Sequence, residues 1–173
     1  MWPAAGPSDA TNGPFSRAAD GTVDVGLPAP ARDVLASMLA SLTAVITDPD
    51  ADTDPAVRAL FPNPHPDDRD RQADWVAYAK PGLLRDRLEA IGTVEATLSR
   101  DTITDGEAYT WMTVLNSLRL VLAARLGIAD RPEPADDADS GTIGLYQTYW
   151  ALGDLVARLV ERAAETVPDA TAA

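Results

Sequence analysis

Trp111–Ile128, WMTVLNSLRLVLAARLGI, decides the fold class. Trp111, Val114, Leu115, Leu118, Val121 and Leu122 recur every three or four residues, the period of an amphipathic helix and not of a strand. Upstream, Thr104 and Glu107 have the spacing of a capping box. Downstream, Gly127 supplies a C-cap glycine and Ile128 its accompanying apolar contact. A helix from Thr104 to Leu126, with the longest apolar stripe in the chain, is therefore expected.

The same spacing recurs on both sides. Pro28 and Pro30 open a helix over about Ala31 to Thr47, whose stripe is Val34, Leu35, Met38, Leu39, Leu42, Val45 and Ile46. Asp54 with Pro55 predicts the start of a short helix over Ala56 to Phe61. A further helix is read from Asp68 to Ala79, burying parts of Trp75, Val76 and Tyr78. Pro81 disfavours helical geometry at Lys80 and so separates it from the next helix, which runs to about Ser99 and buries Leu84, Leu88, Ile91 and Leu98. The last helix runs from about Ile143 to Thr166, with Leu145, Tyr149, Leu152, Val156 and Val160 on one face. Gly153 lies on that face, where another helix can approach closely.

At the other end, Asp20-Gly21 is a turn signal between two short runs, and Val23, Val25 and Leu27 alternate with polar or small residues. The expected architecture is mainly α, a compact bundle of about five to six helices with a short N-terminal β-hairpin. One domain spans 15–166, comprising the hairpin 15–27 and an acidic, proline-containing loop at 129–141 expected to be disordered. Flexible tails are expected at 1–14 and 167–173.

The chain has 173 residues and a net charge of −13, with 27 acidic residues against 14 Lys and Arg and no basic run. Such a chain repels phosphate backbones, so nucleic acid is not an expected partner. Its acids fall largely in connecting segments: 81–100 holds three acidic and three basic residues, and 104–126 two of each. Cysteine is absent, which removes thiol catalysis, disulfides and Cys-based zinc sites. The N-terminus lacks the charged and apolar regions of a signal peptide, and no apolar stretch approaches the ~20 residues of a membrane span. A cytoplasmic location is the expectation by elimination.

No catalytic residue, metal site or cofactor site emerges. The Asp48, Asp50, Asp52, Asp54 run fails the calcium-loop pattern: a loop starting at Asp48 puts Thr53 and Ala59 where glycine and glutamate are required. His65, the single histidine, sits between Pro64 and Pro66 without a placed nucleophile. Glycines 82, 92, 106 and 127 match no phosphate-binding pattern.

Polar residues at apolar positions are more informative. Glu95 follows Ile91 by four residues, and Arg125 follows Val121 by four, so both fall on their stripes. An uncompensated buried charge is costly, about 3–5 kcal/mol when one partner is removed. We therefore expect Glu95 and Arg125 to face each other between adjacent helices, with Asn116 and Arg119 extending a polar seam, structural or ligand-binding. Tyr146, Tyr149 and Trp150 are the candidate interaction surface.

Phe15–Leu27, the DPAVRALFPNPHPDD and LLRDRLEAIGTVEATL segments ending at Leu98, and Trp111–Ile128 together resemble an actinobacterial family, domain-of-unknown-function family two-zero-one-seven. Asn116, Arg119 and Arg125 match its pattern. Ser117 stands where the family usually has aspartate, Ala123-Ala124 where it often has glycine-threonine, and Tyr149-Trp150 near a position usually aspartate-tryptophan. The resemblance implies a bacterial protein often encoded beside a Clp-protease adaptor and genes of a sulfur-carrier route to cysteine, some members being labelled regulators; it carries over no catalytic residue. The expected function is a non-enzymatic protein-interaction or accessory factor, with another protein as partner. The alternatives are a transcription regulator, and a small-molecule-binding domain or enzyme using the polar seam of Glu95, Asn116 and Arg119.

Overall fold

The computed structural model describes residues 13–165. Most of the expected tail at 1–14, all of that at 167–173 and the last residue of the expected final helix lie outside the described residues. The elements in order are β1 (Phe15–Arg17), β2 (Val23–Val25), α1 (Ala29–Thr47), α2 (Pro55–Leu60), α3 (Arg69–Asp74), α4 (Lys80–Thr97), β3 (Thr102–Ile103), α5 (Asp105–Leu126) and α6 (Ser140–Ala164). The protein is mainly α, as its periodicity requires.

The expected hairpin is present and gains a third strand. β1 and β2 pair antiparallel with Phe15 opposite Val25, across a turn where Gly21 adopts φ +86°. β3 then pairs with β2, Val23 opposite Ile103. Two residues carry no readable alternation, so this strand leaves no sequence signal. Phe15, Val23, Val25 and Ile103 turn inward onto Trp111, which is 0% exposed. Trp111 meets Phe15 edge-on at 6.0 Å, and its indole N–H donates to Thr97 Oγ1 at 2.8 Å.

The α5 caps form as expected. Thr104 Oγ1 accepts from the Glu107 N–H at 3.2 Å, and Glu107 Oε2 accepts from the Thr104 N–H at 2.8 Å. At the other end Gly127 is left-handed, φ +63°, and the Ile128 N–H reaches Ala123 O at 3.0 Å. Asp54 caps α2 through the Ala56 N–H at 2.7 Å.

Pro81 does not break the chain into two helices. α3 runs into α4 through a π turn at Trp75–Ala79, and Lys80 is helical (φ −58°, ψ −40°). The Lys80 N–H reaches back five residues to Trp75 O. A proline normally clashes with the carbonyl one α turn before it; widening the preceding turn relieves that conflict without ending the rod. The expected burial of Tyr78 is also corrected: it is 82% exposed, whereas Trp75 packs against the core.

On α6 the buried face is rotated from the expected one. Gly144, Tyr146, Thr148, Leu152, Leu155 and Leu159 point inward, while Leu145 and Val160 are substantially exposed. The connection before α6 forms turns where disorder was expected: the Asp130 and Arg131 N–H groups both reach Gly127 O, and the Tyr146 hydroxyl donates to Arg131 O at 3.0 Å. Asp139 caps α6 through the Gly141 and Thr142 N–H groups, which holds its carboxyl below the usual range.

Among the described residues α1 is long and apolar enough, by length and composition, to cross a membrane. The expectation that no stretch approaches that length is corrected accordingly. Its Leu35, Leu39, Leu42 and Ile46 are buried in the protein core. Arg32, in the first turns of α1, donates to Leu27 O at 2.8 Å, Val25 O at 2.7 Å, Arg100 O at 2.7 Å and Leu98 O. One guanidinium thus ties α1 to the sheet and to the carbonyls that end α4, where helix geometry leaves acceptors unpaired.

Candidate functional site

Arg32 at the start of α1 bonds the carbonyls of Leu98 and Arg100, just ahead of α5, and Arg125 at the end of α5 lies beside Asp54, past the end of α1, so the two helices run in the same general direction. α6 returns antiparallel along α5. The three helices do not close completely. Between them lies an open groove of about 460 Å³, walled by Val34, Met38, Leu42 and Val45 of α1, by Leu118, Val121 and Leu122 of α5, and by Leu145 and Thr148 of α6.

The groove wall is apolar even where its residues are not. Ser37 Oγ donates to Asp33 O at 3.1 Å, Ser41 Oγ to Ser37 O at 2.9 Å, and Thr148 Oγ1 to Gly144 O at 2.8 Å. Each hydroxyl spends its proton on its own helix. From Val34 to Thr47 the sequence holds no ionisable side chain, in a chain of net charge −13. The charged lining residues stand at opposite ends: Asp33 in the first turns of α1, and Arg125 in the last turn of α5. Arg125 Nη2 lies 3.7 Å from Asp54 Oδ2, with 47% of the arginine side chain exposed.

The expected Glu95–Arg125 pair is not formed. Glu95 is exposed, and Arg125 turns to Asp54. The buried face of α4 runs through Ile91, Val94, Thr97 and Leu98. Glu95 sits about 100° around the helix from Val94, at the rim of that face. The buried stripe of α5 stops at Leu122, so Arg125 projects past the core. Asn116 is exposed as well.

Arg119 is half-buried between α5 and α6. Its guanidinium stacks on the Tyr149 ring at 5.0 Å, and Nη2 is 3.4 Å from the Tyr149 hydroxyl. Gly153 makes room for it: a Cβ there would meet Arg119 Nε at 3.3 Å. The close approach expected at Gly153 is thus made by a side chain, not by a neighbouring backbone. Glu95, Asn116 and Arg119 do not line the groove. Of the expected aromatic surface, Tyr146 is buried at 2% exposure, Tyr149 is half-buried under Arg119, and Trp150 is open at 47%, with its ring 5.9 Å from that of Tyr146.

The interior cation that the sequence did not reveal is Arg87. It donates to Ser117 Oγ and to Leu60 O at 3.3 Å, and lies 5.1 Å over the Phe61 ring. Burial lowers its pKa. Arg87 follows Leu84 by three residues and precedes Ile91 by four, a position on the stripe as good as that of Glu95. The available signal was thus the same spacing that singled out Glu95. Two other cations in the segment from Pro81 to Arg100 are paired with acids: Arg85 with Asp86 at 2.8 Å and Arg100 with Glu107 at 3.0 Å.

In the acidic loop, Asp48 Oδ1 accepts from the Asp50 N–H at 2.7 Å and Asp54 caps α2. No group of three or more His, Cys, Asp or Glu side chains with the placement to hold a metal occurs among the described residues.

Residues 12–163 match the model of a family described as Domain of unknown function (DUF2017). No curated protein and no solved structure matches the chain.

Proposed function

The chain belongs to a family, DUF2017, whose description assigns no activity, so its role is to be read from its own surface, and we propose that it is a non-enzymatic protein-docking module. The working surface in this reading is the groove between α1, α5 and α6, and the occupant is an apolar helical segment of a protein. The observation that carries it is the conjunction of an open apolar groove with the charge-free run Val34–Thr47. A contiguous apolar surface on an otherwise strongly charged chain is the usual mark of an interaction site. Grooves between helices take amphipathic helices through residues spaced three and four apart. The charged lining groups sit at opposite ends of the groove instead of converging on one reacting point, which favours docking over catalysis. The absence of cysteine is in keeping with a cytoplasmic setting.

The test is a fluorescence-polarisation titration of the intact protein into a labelled helical peptide of roughly 18 residues, built from leucine, alanine, glutamate and lysine with one apolar stripe. Saturable binding is expected, weakened at least tenfold by Ser41→Glu or Leu145→Glu. Both positions are exposed and line the groove. Absence of saturable binding, or equal binding by both variants, overturns the proposal.

A further inference from the structure

Building on the docking reading, we infer that the occupant of the groove is a second copy of this chain, set antiparallel across a two-fold axis near Ser41. A two-fold interface brings the same patch of each copy face to face, so the patch must complement itself. This groove does so in one orientation. It has an acid, Asp33, at the sheet end and a base, Arg125, at the far end, with an apolar wall between. An antiparallel copy places its own Asp33 against Arg125 and its own Arg125 against Asp33. A parallel copy would set like charges together.

Two further features fit. Two bodies of net charge −13 repel one another, and the repulsion is smallest where they meet through a surface free of carboxylates; α1 offers one from Val34 to Thr47. Arg125 is also free to re-pair, because its contact with Asp54 is long, at 3.7 Å, and its side chain is half exposed. The outward residues Ser37, Ala40, Ser41 and Ala44 are small, which permits the two α1 axes to approach to about 8 Å.

Sedimentation equilibrium of the intact protein across a concentration series tests this. The wild type is expected to dimerise. Asp33→Arg and Arg125→Asp are each expected to weaken self-association at least tenfold, since each variant meets its own copy with two like-charge contacts. Mixed one to one, the two variants are expected to restore a dimer, because both contacts then become opposite in sign. A loss of fold in either variant would not be repaired by mixing. Independently of both, Ser41→Cys puts a single thiol into a cysteine-free chain. Mild oxidation is expected to give a disulfide-linked dimer, whereas the exposed Glu95→Cys control gives none.

A wild type that stays monomeric overturns the inference. If that monomer still binds the labelled helical peptide, the docking reading survives with a different occupant; if it does not, both fall. A dimer that neither responds to the charge reversals nor cross-links at Ser41→Cys is assembled through another face, which also overturns the inference.

Discussion

The neighbourhood of Trp111 and the groove beside α1 are built from overlapping helices, yet they treat polar groups in opposite ways. Around Trp111, polar atoms are drawn in to bond across elements: the indole N–H to Thr97, and Arg32 to carbonyls of the sheet and of the segment that closes α4. Along the groove, the hydroxyls are folded back onto their own helices and charge is absent from the middle of α1. Cross-element bonds fix one arrangement of the chain. A wall without polar demands leaves room for something from outside. The comparison separates positions whose loss unfolds the protein from positions whose loss changes only what it meets.

The largest effect that would sharpen this contrast is expected at Trp111. Trp111→Ala removes a fully buried ring and its hydrogen bond, and should cost about 3–5 kcal/mol in urea unfolding. Next comes Arg32→Met, which keeps the length of the side chain but strands several carbonyls; a loss of about 3 kcal/mol is expected, with Arg32→Lys recovering part of it. A cost below about 1 kcal/mol for Arg32→Met would show that the sheet end does not depend on the clamp.

A smaller effect is expected with acid. Glu107 is held below the usual carboxylate range, chiefly by the Thr104 backbone N–H it accepts. A carboxylate whose folded pKa is lowered adds stability above its unfolded value, about 4.3, and loses it as the pH falls through the folded value. Chemical denaturation from pH 6 to pH 2 should therefore show a shallower acid decline for Glu107→Gln than for the wild type. The smallest effect on stability is expected in the groove, where Ser41→Glu should stay within about 0.5 kcal/mol of the wild type while weakening docking at least tenfold. A destabilisation comparable to that of Arg32→Met would erase the distinction between the two regions.

The parts of the fold that were legible in the sequence are those governed by local chemistry. The α5 capping box, the Gly127 cap, Asp54 before Pro55 and the Asp20-Gly21 turn all depend on neighbours a few residues away, and each forms. What was not legible depends on distant packing. Glu95 and Arg125 occupy stripe positions by spacing, but spacing does not say how wide a buried face is or where along the helix it ends: Glu95 falls at the lateral rim of the α4 face, and Arg125 beyond the last buried residue of α5. Tyr146 turned out to be buried because α6 is rotated to suit α5. The groove was half visible: the charge-free run from Val34 to Thr47 is in the sequence, while the gap beside it is set by how far apart three helices stand.

The π turn at Trp75–Ala79 amounts to one spare residue lodged in a helical rod. In an unbroken α-helix, Trp75 and Ile91 would point about 160° apart; with one residue absorbed by the wide turn, the angle falls to about 60°. Both side chains can then face the same interior. Deleting Ala79 would heal the hydrogen-bond ladder and misaim everything on one side of the deletion. At this point in the chain, the regular helix would be the wrong shape.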